Sequence, residues 1–306
     1  MQKILVTPRS LTKSGHPALD KLSQRGYELV FSTPGRQPSE DEIIGLLPGC
    51  VGYLAGVEKI SSNVLESAKD LKVISRNGSG IDNIDLESAR RLNIRICNTE
   101  GANARGVAEL TIGLMFSLVR SIPYQDEKMK QGVWERIRGM ELEERVLGLI
   151  GCGQIGQEVA LIALGLGMQV LAYRRNPDLS FSPSEGFQYV SLDELLSQSD
   201  IISLHRPAPL SGEPFVTAEI IEKMKKGVYL INTARASLLD ENAVLEGLDN
   251  NHIAGVAIDV YEKEPPDDSR LVNHDRVIAT PHIGGFTRES VLRATSQAVH
   301  NLINNL

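Results

Sequence analysis

The sequence predicts an α/β protein with two parallel sheets, on three observations. The chain has 306 residues, which is long enough for two domains of ordinary size. Short β-branched runs alternate with helix-compatible stretches along most of the chain, as they do in βα units. A glycine-rich turn between a strand and a helix lies near the middle and begins a second βα series. We therefore expect two sheets rather than one.

The first βα series fills residues 1 to about 100. Its expected strands are KILV, ELVF, VGYL, LKVIS and IRICN, and helical segments such as PALDKLSQRG and SSNVLESAKD lie between them. The segment GANARGVAELTIGLMFSLVRSIP, which separates the two series, has the apolar positions of a mostly buried helix that ends before Pro123.

The second series begins at RVLGLI. Its further strands are MQVLAY, DIISLH, GVYLIN, IAGVAID and RVIAT, with helical patterns such as LDELLSQS and DENAVLEGL between them. The last segment, from Thr287 to Leu306, places its apolar residues on one helical face. Such a helix has to pack on a neighbour, and packing on the first sheet would make the first domain discontinuous.

Composition and charge exclude several classes of protein. A hydrophobic fraction of 42% and a charged fraction of 23% are typical of globular chains. The net charge of −7 argues against a broad nucleic-acid surface, and no apolar run reaches the roughly twenty residues that span a bilayer. The N-terminus has too few apolar residues for a signal peptide. Three scattered cysteines without CxxC spacing predict no disulfide framework and no metal site, so we expect a cytoplasmic protein.

The strongest local motif is GCGQIG, in which Gly151, Gly153 and Gly156 follow the strand RVLGLI and open an apolar helix. Such glycines allow a tight turn, close approach of the backbone to a pyrophosphate and close helix packing, while the N–H groups of the helix N-terminus receive the negative charge. We predict a dinucleotide site here that includes Gln154 and Ile155. A glycine-rich turn without a ligand is the alternative.

The strand MQVLAY ends where an NAD-binding unit would place Asp or Glu against the ribose hydroxyls. This chain has Arg174 and Arg175 instead. A carboxylate would repel a 2′-phosphate, whereas guanidinium groups bind it through charge-assisted bonds. The pair therefore favours NADP(H) over NAD(H), with a solvated surface loop as the alternative.

Polar residues follow three later strands of the second series: Arg235, Glu264 and His282. Ligands of open α/β sheets bind at the carboxyl ends of the strands, so these side chains could converge. Glutamate beside histidine fixes the ring for proton exchange near neutral pH, and arginine offers a planar fork to a carboxylate. Taken singly, each residue is more often a satisfied or solvated loop residue.

Seven stretches together resemble one known family. They are VLGLIGCGQIG, ISLHRPA, LINTARASLLDENAVLEGL, GVAIDVYEKEPP, TPHIGG, SRNGSGIDNIDLESA and NTEGANARGVAELTIGLM. They cover nearly the whole chain and resemble the D-isomer-specific 2-hydroxyacid dehydrogenases, which include phosphoglycerate dehydrogenases and glyoxylate and hydroxypyruvate reductases. The resemblance implies that Arg235 binds the substrate carboxylate and carbonyl, that His282 exchanges the proton on the C2 oxygen, and that Glu264 holds and charges the histidine.

The resemblance also implies the remaining binding residues. At the substrate carboxylate it places a loop that offers backbone N–H groups, and the residues of this loop and its edge are Arg76, Asn77, Gly78, Ser79 and Gly80. At the dinucleotide it places Asn103, His205, Arg206, Pro207, Thr233, Ala234, Asp259 and Gly284. Two residues depart from the family pattern: Glu100 replaces a hinge proline, and Arg174 replaces a common acidic residue.

The family resemblance implies a fold of two Rossmann-like domains. Residues 1–99 and 287–306 would form a discontinuous substrate domain, and residues 100–286 an inserted dinucleotide-binding domain. The two crossings would act as a hinge, and closure would expel water from the reacting groups. The resemblance further implies a homodimer, with the GANARGVAELTIGLMFSLV helix and QGVWERIRG as contact elements, and no C-terminal regulatory domain.

The predicted function is an NADP(H)-linked reductase of small 2-keto acids such as glyoxylate or hydroxypyruvate. One alternative is an NAD-dependent D-3-phosphoglycerate dehydrogenase without a regulatory domain. Another is a dinucleotide-gated binding protein that resembles the corepressors of this fold. If Arg9 points inward beside Arg76, the pair could hold a second anionic group such as a phosphate, but a solvated Arg9 is an equal alternative.

Overall fold

The protein is described here by a computed structural model that covers residues 1–209, 211–267 and 269–306. Its residues group into two compact units, Met1–Asn103 with Thr287–Leu306 and Ala104–Phe286. Each unit contains one parallel β-sheet, so the predicted α/β class with two Rossmann-like sheets is confirmed.

The first unit has a five-stranded sheet. Its strands are β1 (Lys3–Val6), β2 (Glu28–Phe31), β3 (Cys50–Ala55), β4 (Val73–Arg76) and β5 (Arg95–Cys97), and its helices before the crossing are α1 (Arg9–Ser14), α2 (Asp20–Gln24), α3 (Glu40–Leu46), α4 (Ser62–Ser67) and α5 (Leu86–Arg91). The strand order is β2-β1-β3-β4-β5, and every pairing is parallel. Successive residues enter different apolar clusters, as Ile4 and Leu5 do, because side chains alternate between the faces of a sheet.

The second unit has a seven-stranded sheet in the order β12-β11-β10-β9-β6-β7-β8, again all parallel. Its strands are β6 (Val146–Ile150), β7 (Gln169–Tyr173), β8 (Phe187–Tyr189), β9 (Ile201–Leu204), β10 (Val228–Asn232), β11 (Ile253–Ile258) and β12 (Val277–Ala279). Its helices are α6 (Ala104–Val119), α7 (Ile122–Lys130), α8 (Gln154–Gly165), α9 (Leu192–Gln198), α10 (Ala218–Lys223) and α11 (Glu241–Asp249).

The buried helix predicted before Pro123 is α6, which packs against α8 through residues such as Met115. Pro123 lies in the first turn of α7, where a backbone N–H would have no acceptor within the helix, so proline is tolerated there. Among the described residues no single helix is long and apolar enough to cross a membrane. Only α6 and α7 together reach that length and composition, as a pair bent by 61°.

Several helices begin where a Ser, Thr or Asp side chain accepts a backbone N–H of the first turn. These caps are Ser39, Ser61, Asp85, Ser191, Thr217, Asp240 and Thr287. Helix α8 differs, because Gly153 precedes it and no side chain caps it. The N–H groups at the start of α8 therefore have no side-chain acceptor in the described structure.

The C-terminal helix α12 (Arg288–Asn305) belongs to the first unit. Its buried face includes Ala298, Val299 and Leu302, which join the same apolar cluster as β1. Leu302 also approaches Gly52 of β3, where a side chain larger than hydrogen would be tight. The last helix therefore packs on the first sheet.

Candidate active site

The carboxyl edge of the seven-stranded sheet carries most of the residues predicted for one site. Gly151 follows β6, His205 follows β9, Arg235 follows β10 and Asp259 follows β11, while His282 comes three residues after β12. Because all these strands are parallel, their ends meet at one edge, where open α/β sheets bind ligands. This edge is therefore the candidate active site of the second unit.

Glu264 and His282 form a close pair. The Nδ1 atom of His282 lies 2.6 Å from Oε1 of Glu264, and the two side chains are 43% and 25% exposed. An ionised carboxylate can only accept, so Nδ1 carries the hydrogen of this bond. The Nε2 atom is then the ring nitrogen left for exchanging a proton with a ligand. The backbone of His282 has a φ of 52°, which is uncommon for a residue with a side chain, and its N–H donates to Thr280.

Asp259 holds the loop that carries this histidine. Its side chain is buried, and Oδ1 accepts from the hydroxyl of Thr280 at 2.6 Å and from the N–H of Ile283 at 2.8 Å. Oδ2 accepts from the N–H of Gly284 at 2.8 Å. The family resemblance placed Asp259 and Gly284 at the dinucleotide. In this structure their polar groups bond to each other and fix the backbone on both sides of His282.

The turn after β10 orients Arg235. The buried side chain of Asn232 donates to the carbonyl of Arg235 at 2.8 Å and accepts from the N–H of Ala234 at 3.1 Å. The guanidinium of Arg235 is partly buried and donates to the carbonyl of Ala234 at 2.7 Å. Thr233 is buried, and its hydroxyl lies 3.1 Å from that of Thr111 in α6. Its side chain is thus bonded to a helix, whereas Arg235 lies at the sheet edge.

The glycine turn after β6 fits a dinucleotide pyrophosphate. Gly151 has a φ of 102°, and a Cβ there would overlap the carbonyl of His205. A Cβ on Gly156 would lie 2.5 Å from the carbonyl oxygen of Gly151. A Cβ on Gly153 would meet nothing within 4 Å. Packing therefore requires the first and third glycines, and the second leaves open space before the uncapped N-terminus of α8, to which Gln154 and Ile155 belong.

Beside this turn lie the side chains at the ends of β7 and β9. Nη1 of Arg174 donates to the carbonyl of Cys152 at 3.2 Å, and Arg175 is exposed. The guanidinium of Arg206 stacks on the ring of Phe215, and Pro207 is exposed. The residue before Arg206 is a neutral histidine at pH 7, because burial lowers the pKa of His205 to about 4. Its Nε2 lies 2.9 Å from the hydroxyl of Ser203.

The predicted substrate loop lies in the first unit, after β4. The N–H groups of Asn77 and Gly78 donate to the carbonyls of Ala55 and Arg76, at 2.8 and 3.0 Å. These two N–H groups are therefore engaged within the protein, contrary to the expectation that the whole loop offers them to a ligand. Those of Ser79 and Gly80 have no protein acceptor within the described ranges.

Arg76 braces this loop. Its Nη1 donates to the carbonyl of Asn77 at 2.9 Å, and a side chain on Gly78 would overlap the guanidinium. Asn103 belongs to the same unit, where its Oδ1 accepts from the hydroxyl of Ser79 at 2.9 Å. Arg9, which could hold a second anionic group with Arg76 if it pointed inward, is exposed at the start of α1.

The segment with Glu100 in place of the usual proline is held by hydrogen bonds. The N–H of Thr99 donates to the carbonyl of Gly78 at 3.1 Å. Nε of Arg293 in α12 donates to the carbonyl of Ala102 at 2.9 Å. These contacts fix the end of the first unit without a proline.

Three residues of the candidate site were not singled out from the sequence. Asn232 and Thr280 are polar residues at the ends of apolar strands. Asn232 is buried and Thr280 is half-buried, and a polar residue in such a position needs a partner, so their position was a usable signal. Phe215 lies in a loop, and nothing in its sequence context predicts a contact with Arg206. Within the described residues, no group of three or more His, Cys, Asp or Glu side chains is arranged to hold a metal ion.

Comparison with known proteins agrees with this geometry. The family model for the NAD-binding domain of D-isomer-specific 2-hydroxyacid dehydrogenases matches residues 112–284. A hydroxypyruvate reductase of Thermotoga maritima is 40% identical over 273 residues, which are 87% of this chain and 88% of that protein. The D-3-phosphoglycerate dehydrogenase of Homo sapiens is 38% identical over 296 residues, which are 96% of this chain, and the match covers 54% of that protein.

This chain thus spans about half the length of the phosphoglycerate dehydrogenases that it matches. A crystal structure of a Thermus thermophilus protein superimposes with a TM-score of 0.88 at 34% identity, over 99% of this chain and 96% of that one. The chain belongs to the D-isomer-specific 2-hydroxyacid dehydrogenases, a family of oxidoreductases that use a nicotinamide dinucleotide and act on the CH–OH group of small 2-hydroxy acids.

Proposed function

We propose that this protein reduces small, unphosphorylated 2-keto acids such as hydroxypyruvate or glyoxylate to D-2-hydroxy acids with NADPH. The observation that carries the proposal is the pair of Glu264 and His282, 2.6 Å apart at the ligand-binding edge of a dinucleotide-type sheet. A ring nitrogen fixed in this way is suited to deliver a proton during carbonyl reduction.

In the proposed reaction a bound nicotinamide dinucleotide supplies the hydride in reduction and accepts it in oxidation. Nε2 of His282 donates a proton to the C2 oxygen of the keto acid and removes it in the reverse direction. Glu264 accepts the Nδ1 hydrogen, which keeps Nε2 directed to the ligand, and its negative charge stabilises the ring while both nitrogens are protonated.

Arg235 is proposed to bind the substrate carboxylate. Arg235 has a planar fork of donors that suits a carboxylate, and its positive charge stabilises the oxygen that gains negative charge. The turn made by Asn232 pre-orients it. In the first unit, taken by itself, the N–H groups of Ser79 and Gly80 are the proposed donors to an anionic group.

Arginine side chains support the proposed preferences for NADP(H) and for an unphosphorylated substrate. Arg174 and Arg175 stand where a carboxylate would select NAD(H), which supports NADP(H). The guanidinium of Arg76 lies over Gly78 and donates to the carbonyl of Asn77, so it is directed into the loop. This supports an unphosphorylated substrate over 3-phosphohydroxypyruvate, the substrate of the alternative NAD-dependent phosphoglycerate dehydrogenase.

A single assay panel tests the proposal. NADPH and NADH oxidation is followed with glyoxylate, hydroxypyruvate and 3-phosphohydroxypyruvate, and kcat/KM is compared across the six pairs. The highest value is expected for NADPH with an unphosphorylated acid. The highest value for NADH with 3-phosphohydroxypyruvate would favour the phosphoglycerate dehydrogenase alternative. Tight dinucleotide binding without turnover on any acid would favour the nucleotide-gated binding protein.

We also propose a homodimer, formed through the apolar residues of α6, α7 and the segment after them. Trp134 is 79% exposed, and Phe116, Ile122, Met129 and Val133 are exposed as well. Large apolar side chains exposed along one stretch are typical of a surface that another protein covers. Light scattering after size-exclusion chromatography would give twice the mass of 33.5 kDa for a dimer and that mass for a monomer. A cytoplasmic location stays a prediction.

A further inference from the structure

Three arginines lie at the carboxyl ends of β7 and β9. Arg174 and Arg175 directly follow β7, and Arg206 comes two residues after β9. Arg174 contacts a carbonyl oxygen, and Arg206 contacts an aromatic ring. In the described part of the chain, no ion pair joins any of the three arginines to a carboxylate. Asp178 is close enough to Arg174 to interact with its charge, but three guanidinium groups outnumber this one carboxylate, so an anionic ligand among them is favoured.

An aromatic ring holds the guanidinium of Arg206, and its backbone packs against the glycine turn. Its Cζ lies 4.4 Å from the ring centroid of Phe215, in a cation–π stack. Phe215 is itself anchored, because its N–H donates to the carbonyl of Leu238 at 3.0 Å and its ring packs on the apolar cluster of the sheet. The backbone N of Arg206 lies 3.0 Å from the position of a Cβ on Gly151. The arginine is therefore fixed beside the glycine turn.

Strands β9 and β7 flank β6, so Arg206 lies on the same edge of the sheet as the end of β7. Burial lowers its pKa, and the positive charge of Arg175 lowers that pKa further, while Tyr173 at the end of β7 acts in the opposite direction. Arg206 is thus close enough to Arg175 and Tyr173 to interact with both. The guanidinium of Arg174 reaches toward the same turn through its bond to Cys152.

The position of this cluster identifies the ligand group. In a dinucleotide-binding sheet the pyrophosphate lies at the N-terminus of the helix after the glycine turn, which here is α8. The residues after the next strand, here β7, contact the hydroxyls of the adenosine ribose. A dianionic phosphate on that ribose would meet all three positive charges, whereas NAD(H) has no group there to neutralise them.

We propose that Arg206 is a specificity-determining residue for the adenosine 2′-phosphate of NADP(H), with Phe215 as its positioning residue. This inference rests on the proposed preference for NADP(H) and adds to Arg174 and Arg175 a third guanidinium from a different strand. Guanidinium stacked on an aromatic ring keeps its N–H edge free for a phosphate, so the stack pre-orients the donors.

The test measures ligand binding by calorimetry rather than turnover. The ligands are 2′,5′-ADP, which carries the 2′-phosphate, and 5′-AMP, which lacks it, each at two salt concentrations. The variants are Arg206→Gln and Phe215→Leu, with Arg206→Lys as the conservative exchange. Lys223→Gln is the matched control, because it removes one positive charge from an exposed ion pair of the same unit, 3.3 Å from Asp193. Thermal unfolding of each variant shows whether it is folded.

Arg206→Gln is expected to weaken the binding of 2′,5′-ADP about 10- to 100-fold, because charge-assisted bonds to the phosphate are lost. The binding of 5′-AMP is expected to weaken less than about threefold. The affinities of Arg206→Lys and Phe215→Leu for 2′,5′-ADP are expected to lie between those of wild type and Arg206→Gln. The salt dependence of 2′,5′-ADP binding is expected to be smaller in Arg206→Gln than in wild type. Equal weakening of both ligands would overturn the inference, because it would mean stacking on adenine instead.

The test separates failure of this inference from failure of the proposed cofactor preference. A wild-type protein that prefers 2′,5′-ADP, with that preference unchanged in Arg206→Gln, would overturn the role of Arg206 and leave the NADP(H) proposal intact. A wild-type protein that binds 2′,5′-ADP no more tightly than 5′-AMP would overturn both.

Discussion

Replacing Asp259 with asparagine removes one carboxylate oxygen from the loop that carries His282. In the structure the carboxylate accepts three hydrogen bonds, from the hydroxyl of Thr280 and the N–H groups of Ile283 and Gly284, at 2.6 to 2.8 Å. An asparagine side chain has only one oxygen, so its NH₂ group must face at least one of these donors. At least one buried N–H or O–H group then loses its acceptor.

The expected magnitude follows from that geometry. Losing one charge-assisted bond and weakening the other two from charged to neutral destabilises the fold by about 2 to 4 kcal/mol. For a unit of this size, that corresponds to a fall in Tm of about 4 to 16 °C. The φ of 52° at His282 costs about 1 to 2 kcal/mol and persists only while the neighbouring residues are held. Release of the loop is therefore expected to lower kcat about 10- to 100-fold.

The assay compares Tm, kcat and the Kd for the dinucleotide in wild type and in Asp259→Asn. Asp240→Asn is a matched control, because Asp240 also accepts two backbone N–H groups but caps α11, where asparagine is equally effective. A Tm within about 2 °C of wild type, together with a much higher Kd for the dinucleotide, would refute the proposal that Asp259 holds the loop of His282. It would support direct contact of Asp259 with the dinucleotide.

Two other predictions concern the glycine turn and its neighbour. Gly151→Ala is expected to lower the Tm of the ligand-free protein, because its Cβ would overlap His205. Gly153→Ala is expected to leave Tm unchanged and to weaken dinucleotide binding at least about tenfold, because its Cβ meets only the open space before α8. Thermal unfolding and calorimetry on both variants check this, and equal Tm values for the two variants would contradict it. For His205, burial lowers the pKa from 6.5 to about 4, so the unfolded chain binds a proton that the folded chain does not, and stability falls as the pH falls through that interval. Urea midpoints between pH 7.5 and 4.5 should fall less steeply in His205→Gln, and an unchanged slope would show that His205 does not contribute.

The sheets could be predicted from sequence because their strands are short, apolar and β-branched. Runs such as VLGLI are buried along nearly their whole length, which leaves few alternatives to a central parallel strand. Strand β8 was not predicted, because it has three residues and only Phe187 is fully buried. Helix α7 was not predicted either, since none of its residues is buried and Pro123 in its first turn reads as the end of a helix.

The chemistry of the site was predictable only in part. The resemblance to the family indicated the pairing of Glu264 with His282, because the two lie in recognisable motifs. The contacts of Asp259 were not predictable, since two of its three partners are backbone N–H groups more than twenty positions away, which leave no trace in residue type. The engaged N–H groups of Asn77 and Gly78 are hidden because their acceptors are backbone carbonyls, which residue type does not reveal.

In the proposed reaction His282, held by Glu264, transfers the proton in a dinucleotide-dependent carbonyl reduction. The most direct measurement compares kcat for NADPH oxidation with the best 2-keto acid, and the Kd for NADPH, between wild type and His282→Asn. His300→Asn serves as the control on an exposed histidine of α12. In His282→Asn, kcat is expected to fall about 10²- to 10⁴-fold, with a Kd within about threefold of wild type. A variant that keeps its kcat would show that the proton comes from another group.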